Sequence, residues 1–310
     1  MNQIFTPTAE TFPSTADVVV IGGGIVGVAT AFWLSRANLD VVLVEMREGL
    51  STLTTPNSVE CFRAQFTEPA MAELALESIA VFENFAEVVR IPGYDIGLQQ
   101  KGYLFVTDAP DMIPDLQAAV ETHHQWGVTD SEYLNQPELQ TRFPYLSESA
   151  VAGTFRQKDG WLSSHETTQG FARGSSARFL LETKAVDILQ DEKGVKAVVT
   201  NRGTIPTRQV VNAAGPFAGQ VGSMAGIDLP VKPVRRQKAY IAPHPAFPAD
   251  APMSIDLVRD AYFRPETAGI LIGWVDPEEE QSEPSEHLPT TWNFAAQTID
   301  KLRHLFPFWD

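Results

Sequence analysis

DVVVIGGGIVGVATAFWLSRANLDVVLVE, Asp17 to Glu45, decides how this chain folds. Val18 to Ile21 are four branched apolar residues in a row, the pattern of a parallel strand buried on both faces. They run into Gly22-Gly23-Gly24-Ile25-Val26-Gly27, a G-x-G-x-x-G, and then into an apolar helix. A second strand, Val41 to Val44, ends on Glu45. In such a crossover Gly22 makes the tight turn, Gly24 lets the backbone approach a pyrophosphate, and Gly27 lets helix and strand pack closely. The helix N-terminus, with Ile25 and Val26, offers free N–H groups and a positive dipole end to the phosphates. Glu45 is placed to accept hydrogen bonds from an adenosine ribose, and its charge would repel a 2′-phosphate. Strand, glycines, helix, second strand and acid arrive in order, which is the context the motif requires. FAD and NAD use the same unit, so the choice between them falls to the rest of the chain.

At 310 residues the chain suits one large domain or two interleaved ones. Its 44% hydrophobic and 20% charged content is that of an ordinary globular protein. A net charge of −16 argues against nucleic acid and against an anionic membrane surface. A local arginine cluster could still hold an anionic substrate. The one cysteine, Cys61, excludes an internal disulfide framework and fits a reducing cytoplasm. No apolar run reaches the length of a membrane span. The opening MNQIFTPTAETFPSTA, residues 1–16, has no basic or apolar segment of a secretory signal and is expected to be a flexible tail.

Beyond the crossover, residues 49–58 (GLSTLTTPNS) read as an irregular loop able to lie against the cofactor. From Glu68 to Val89 the positions Met71, Leu74, Ala75, Ile79, Phe82 and Phe85 recur at helical spacing, with Pro69 in the first turn. Residues 102–108 read as a strand, and 111–126 as an amphipathic helix with Ile113, Leu116, Val120 and Trp126 inward. Strands follow over 178–189 and 195–211, broken by turns at Asp191-Glu192-Lys193-Gly194 and Asn201-Arg202-Gly203. The last strand runs into Ala213-Ala214-Gly215-Pro216, small residues that permit close approach to a ligand. From Lys232 onward, aromatics and arginines sit on segments that read as antiparallel strands, followed by a helix over about 291–305. The nucleotide-binding sheet is thus built, interrupted, resumed and interrupted again, whereas a simple NAD dehydrogenase keeps its unit contiguous.

With these pieces in order, the chain resembles the D-amino-acid oxidase/sarcosine oxidase (DAO) family of FAD-dependent amine oxidoreductases. The matching segments are VVVIGGGIVGVATAFWL with Glu45, FRAQF at 62–66, QKGYLFVT, DGWL at 159–162, VVNAAGPFAG and YFRPETAGILIGW. The resemblance implies an α/β protein: a glutathione-reductase-like FAD-binding Rossmann domain with an inserted mixed or antiparallel β-sheet substrate domain. The FAD-binding part is expected over 17–90 and 150–229, and the substrate-binding part over 91–149 and 230–310. The implied activity is oxidation of the C–N bond of a small amino acid or N-methylated amine, of the sarcosine, glycine or dimethylglycine kind. Hydride would pass to flavin N5, with oxygen or a redox partner as final acceptor. A homo- or hetero-oligomer is compatible with this.

Carried over by residue, the resemblance gives Gly22, Gly24 and Gly27 to the FAD pyrophosphate and Glu45 to the ribose, with Met46 and Arg47 flanking the adenine. Thr54, Thr55 and Ser58 occupy the place of the flavin-contacting loop, Ala185 or Val186 meets the adenine, and Ala213, Ala214 and Gly215 pass under the cofactor. Arg63 falls where sarcosine-oxidase-like members present an arginine to the substrate carboxylate, a task that suits a bidentate guanidinium. The bland alternative for Arg63 is an ordinary ion pair. Tyr240, Tyr262 and Arg264 lie on the substrate sheet, where alternation would aim some of them at the flavin.

Two departures stand out. The chain stops at Asp310 where the family continues into a last strand and a glycine-rich flavin-binding segment, so it is expected to be a fragment. The alternative is a non-catalytic or truncated FAD-domain subunit. Oxidases of the sarcosine branch carry a lysine in a Gly-x-Lys-x-Gly stretch over the flavin. Here Gly269-Ile270-Leu271-Ile272-Gly273 puts Leu271 there, which favours a dehydrogenase over an oxidase. The early loop has no histidine for covalent flavin attachment. No metal site is expected: His123-His124 lacks partners at metal spacing. His165-Glu166 is read as a helix-capping or loop pair or else as lining the substrate cavity, Arg235-Arg236 as a solvated or interdomain pair, and Glu278-Glu279-Glu280 as a solvated loop.

Overall fold

A computed structural model describes residues 3–242, 244–267, 269–279 and 281–309. The first elements are β1 (Ile4–Phe5), β2 (Val18–Ile21), α1 (Ile25–Arg36) and β3 (Val41–Val44). Then come α2 (Thr54–Asn57), β4 (Cys61–Phe62), α3 (Pro69–Glu83), α4 (Phe85–Val89) and β5 (Tyr103–Thr107). The middle of the chain holds α5 (Ile113–Gln125), β6 (Ser131–Asn135), α6 (Gln136–Arg142), β7 (Ala152–Arg156), β8 (Gly160–Trp161) and α7 (Ser164–Arg173). Next are β9 (Arg178–Leu180), β10 (Ala185–Asp191), β11 (Gly194–Thr200), β12 (Gly203–Pro206), β13 (Gln209–Asn212) and α8 (Ala218–Met224). The chain closes with β14 (Ala239–Ile241), β15 (Met253–Asp256), β16 (Ala261–Glu266), β17 (Gly269–Trp274) and α9 (Phe294–Leu302).

Among the described residues, a five-stranded parallel sheet runs in the order β1-β9-β3-β2-β13. Its unbroken apolar strands are buried on both faces. Val18, Val20 and Leu43 pack against Val28 and Phe32 of α1 and Phe171 of α7. Val19, Ile21, Val42 and Val44 pack against Ile188, Val198 and Ile205 of the antiparallel β10-β11-β12 sheet and Val221 of α8. A parallel sheet needs both layers covered, which is why the four branched residues have no polar alternation.

The second sheet is seven-stranded, in the order β14-β17-β16-β15-β5-β7-β6. One face, with Leu104, Val106, Phe155, Phe263, Ile270 and Ile272, packs on Leu302, Leu305 and Phe306 at the C-terminal helix. Pairing fixes what lies on the other: Tyr240 opposes Leu271, Leu271 opposes Arg264, and Tyr262 opposes Gly273. Met253 and Ile255 oppose Tyr103 and Phe105 on that same face. A two-stranded ribbon, β4-β8, lies over this face, Cys61 and Trp161 packing with Tyr103, Met253 and Tyr262.

Several expectations are corrected. The supposed flexible tail places Ile4 and Phe5 in an edge strand paired with Phe179 and Leu180. Two apolar residues are too few to show a period in sequence. Strand β7, expected within the FAD-binding part, pairs with β5 and β6 in the seven-stranded sheet. The helix over 68–89 divides at Asn84. Ile79 and Phe85 are buried as their spacing implies, but Met71 and Leu74 are exposed at 45% and 58% and Ala72 is buried instead. The loop 49–58 contains the one-turn helix α2. The later strands are not all antiparallel, because β15 pairs with β5 in parallel. Glu279 is paired with Arg235 at 2.8 Å, so it is no free loop acid, and Glu280 lies outside the described residues.

Candidate cofactor and substrate site

A cavity of about 680 Å³ opens at the C-terminal ends of β2 and β3. Its floor is set by glycine sterics. Gly22 has φ +115°, and a β-carbon there would lie 2.4 Å from the Ala213 carbonyl oxygen. A β-carbon on Gly27 would lie 2.0 Å from the Gly22 oxygen, so α1 can sit on the β2 turn only because residue 27 has no side chain. Gly24 differs: its α-carbon faces the cavity, and the nearest atom to a β-carbon is Thr55 Oγ1 at 3.2 Å. The first amide of α1, Ile25 N–H, donates to that same Thr55 hydroxyl at 3.2 Å.

Glu45 is 8% exposed, and its carboxylate accepts from the Gly23 N–H at 2.6 Å and the Arg47 N–H at 2.8 Å. Burial raises its pKa, opposed by those two N–H groups and the Arg47 charge. Arg47 reaches across the cavity mouth to Glu286 at 2.5 Å.

Most of the residues expected at a cofactor come together here. Gly22, Gly24, Ile25, Val26, Glu45, Met46, Arg47, Thr54, Thr55, Ser58, Ala185, Ala213, Ala214 and Gly215 line the cavity. Gly27 lies beneath it, and Val186 does not line it: on β10 the side chains alternate, Ala185 turning in and Val186 out to 47% exposure. Sequence reading missed Ser51. It sits in the left-handed region at φ +56°, its N–H donates to the Gly23 oxygen, and its buried hydroxyl has no partner. A buried hydroxyl without a partner among the described residues, on a residue that borders the cavity, is a feature no sequence pattern carries.

At the far end the cavity is lined by Glu60, Cys61, Phe62, Leu162 and Ser164. Here the seven-stranded sheet is fastened to the loop. Lys238 Nζ donates to the Pro56 and Ser58 oxygens at 3.0 and 2.6 Å. Arg264, 1% exposed, donates to the Val59 oxygen and pairs with Glu266, each at 3.0 Å. Arg264 is therefore a fastening between sheet and loop, and it does not line the cavity. Tyr240 is 56% exposed under the Lys238 amine and does not line the cavity. Tyr262 faces the Cys61 ribbon, and burial pushes its hydroxyl up to about 12. Burial likewise pushes the Cys61 thiol up to about 12, leaving it protonated at neutral pH.

Arg63 stands one residue beyond the cavity wall. Its guanidinium lies 4.4, 5.5 and 5.8 Å from the ring centroids of Phe66, Phe105 and Tyr103, and Nε donates to the Gln65 oxygen at 3.2 Å. Among the described residues no carboxylate pairs with it, so the alternative of an ordinary ion pair finds no partner. His165 is exposed, while the Glu166 N–H donates to Oγ of Ser163, the residue that caps α7. His124 Nε2 donates to the Ser131 carbonyl oxygen of β6 at 2.8 Å. Among the described residues no three His, Cys, Asp or Glu side chains gather as a metal site.

The description "FAD dependent oxidoreductase" (DAO) matches residues 17–309, nearly the whole chain. The chain belongs to the DAO family. Mitochondrial dimethylglycine dehydrogenase of Homo sapiens is 29% identical over 282 residues, 88% of this chain and 32% of that protein. The chain thus spans about a third of the length of the dimethylglycine dehydrogenases it matches. Mitochondrial sarcosine dehydrogenase of Homo sapiens is 29% identical over 74% of this chain and 25% of its own length. Among solved structures, L-proline dehydrogenase from P. horikoshii superposes with a TM-score of 0.84 at 26% identity, over 96% of this chain and 78% of that one. Glycine oxidase from Bacillus cereus shares the fold with a TM-score of 0.77 at 23% identity, over 94% and 78%.

The DAO family is one of FAD-dependent oxidoreductases, and the chain has the family's Rossmann-type FAD domain. The residues present fit FAD: an open cavity floor at Gly24, the buried Glu45 carboxylate at the end of β3 and the Ser51 hydroxyl, which has no partner among the described residues. No helix among the described residues is long and apolar enough to cross a membrane.

Proposed function

We propose that the protein oxidises the carbon–nitrogen bond of a small amino acid or N-methylated amine that carries a carboxylate. The observation that supports this most is Arg63: a guanidinium that pairs with no carboxylate among the described residues, set on an aromatic sheet face beside the end of the cofactor cavity. The proteins it is similar to are named for dimethylglycine, sarcosine and proline, each a small amino acid. In this reading Gly22, Gly24, Ile25, Val26, Glu45, Met46, Arg47, Ser51, Thr54, Thr55, Ser58 and Ala213 to Gly215 hold FAD, and Ala185 meets the adenine. Bound there, FAD supplies the two-electron acceptor for the hydride that leaves the substrate carbon.

The chain's own residues bind and orient. Arg63 takes the carboxylate in a bidentate grip, and Tyr103, Phe105 and Tyr262 exclude water from the reacting carbon. A dry, apolar setting lowers the pKa of the substrate amine, so it sits neutral and releases hydride readily without a strong general base. Leu271, fully buried where oxidases of the sarcosine branch carry a lysine, supports a dehydrogenase. We place the protein in the cytoplasm on the lone cysteine alone; the dimethylglycine and sarcosine relatives are mitochondrial.

The test is anaerobic titration of the flavin-loaded protein with sarcosine, dimethylglycine, proline and glycine, followed by air. Bleaching of the flavin absorbance by one of them, with slow recovery in air, is the expected outcome. Flavin that none of these amines bleaches would overturn the reading, and rapid recovery would make the protein an oxidase.

A further inference from the structure

We propose that Asp159 is the positioning residue for Arg63, fixing the segment 63–66 so that the guanidinium stands over the aromatic sheet face. This rests on the carboxylate-binding reading of Arg63. Asp159 is fully buried, and its two oxygens divide their bonds between the sheet and that segment. Oδ1 accepts from the Ala64 N–H at 3.0 Å and from Arg156 Nη1 at 2.6 Å. Oδ2 accepts from Gln65 Nε2 at 3.2 Å, and Gln65 Nε2 also donates to the Tyr103 oxygen at 3.0 Å. Gln65 in turn supplies the carbonyl that takes Arg63 Nε at 3.2 Å. The arginine is thus held by a residue that Asp159 holds, directly through its side chain and again through its Ala64 neighbour.

Two facts separate this from a plain buried ion pair. Residues 63–66 lie between β4 and α3 and belong to neither, so no ladder or helical bond sets their direction. Arg156 already has a second carboxylate: Asp130, 40% exposed at its side chain, accepts from Nε at 2.6 Å and from Nη2 at 3.2 Å. A charge as deeply buried as Asp159 is costly to desolvate. What Asp159 adds beyond Asp130 is its contacts to Ala64 and Gln65.

Steady-state kinetics of the flavin-loaded enzyme test this, on the amino acid that reduces the flavin and on its methyl ester. Asp159→Asn is expected to raise KM for the acid about tenfold, with kcat within about twofold and the ester unchanged. Gln65→Met, which leaves the Arg156–Asp159 pair intact, is expected to raise KM for the acid about threefold. Asp130→Asn, which removes the other partner of Arg156 and touches neither Ala64 nor Gln65, leaves both substrates unchanged. An acid-to-ester ratio unmoved by Gln65→Met or Asp159→Asn, or moved equally by Asp130→Asn, overturns the proposal. Arg63→Ala distinguishes the two failures. If it leaves the ratio unchanged, the reading of Arg63 falls and this proposal with it; if it shifts the ratio and the other variants do not, this proposal alone falls.

Discussion

Gly27 packs against the carbonyl oxygen of Gly22 so closely that a β-carbon at position 27 would lie 2.0 Å from that oxygen. The obstacle is backbone, which cannot swing aside as a side chain can. Gly27→Ala must push α1 off the β2 turn and is expected to purify without flavin absorbance and with a clearly lowered Tm. Gly24→Ala is the contrast, since its β-carbon meets only Thr55 Oγ1 at 3.2 Å. That variant is expected to fold normally and bind FAD more weakly. Equal Tm for wild type and Gly27→Ala would refute the packing argument.

The orphan hydroxyl of Ser51 makes a second prediction. Without ligand it is a buried polar group lacking a partner, so Ser51→Ala should leave the flavin-free protein as stable as before, or slightly more so. With ligand it loses one hydrogen bond, about 0.5–1.5 kcal/mol, so the Kd for FAD rises roughly two- to tenfold. Fluorescence titration of the flavin-free protein measures it. An unchanged Kd would show that Ser51 faces away from the cofactor.

Glu45 links the cavity to pH. Burial raises its folded pKa above the ordinary value of 4.5, even though the Arg47 and Gly23 N–H groups oppose the rise. The folded protein therefore keeps the proton at a pH where the unfolded chain has released it. The stability this contributes is complete below about 4.5 and is lost as pH rises through the folded pKa. Melting of the flavin-free protein across this range should show wild type losing ground to Glu45→Gln as pH increases. A difference between the two that stays constant with pH would contradict it.

Arg264 and Tyr240 lie on one sheet face yet should behave oppositely. Arg264 is 1% exposed and bonded to the Val59 oxygen and Glu266, so Arg264→Ala should cost roughly 3 kcal/mol by leaving buried acceptors without donors. Tyr240, 56% exposed, should change stability by less than about 0.5 kcal/mol when replaced by Ala. Urea unfolding midpoints at equal slope give both numbers, and comparable losses at the two positions would refute the distinction.

The nucleotide crossover was legible in full because its signals are local. A strand buried on both faces must be continuously apolar, and the turn, the close approach and the helix contact each exclude a side chain at a fixed offset. Helix faces were legible only in part: Met71 and Leu74 kept helical spacing but lie outward, because the cover over α3 comes from Phe62, Trp126 and Val128, distant in sequence. Among the candidate substrate residues, alternation in sequence would aim only some of Tyr240, Tyr262 and Arg264 at the flavin, whereas strand pairing puts all three on one face. Alternation could not say that the β4-β8 ribbon covers that face at Tyr262 and Arg264 and leaves Tyr240 in water.

By itself, then, the sequence determined the strand–glycine turn–helix–strand crossover, since glycine spacing and strand hydrophobicity are properties of consecutive residues. Only the tertiary structure decided which arginine is committed to other protein groups. Arg63 and Arg264 are equally charged in sequence, but Arg264 is used up by the Val59 oxygen and Glu266 while Arg63 rests on aromatic rings. That difference arises from strands far apart in the chain, where β15 joins β5 and brings the second sheet beneath the loop at the cavity's end.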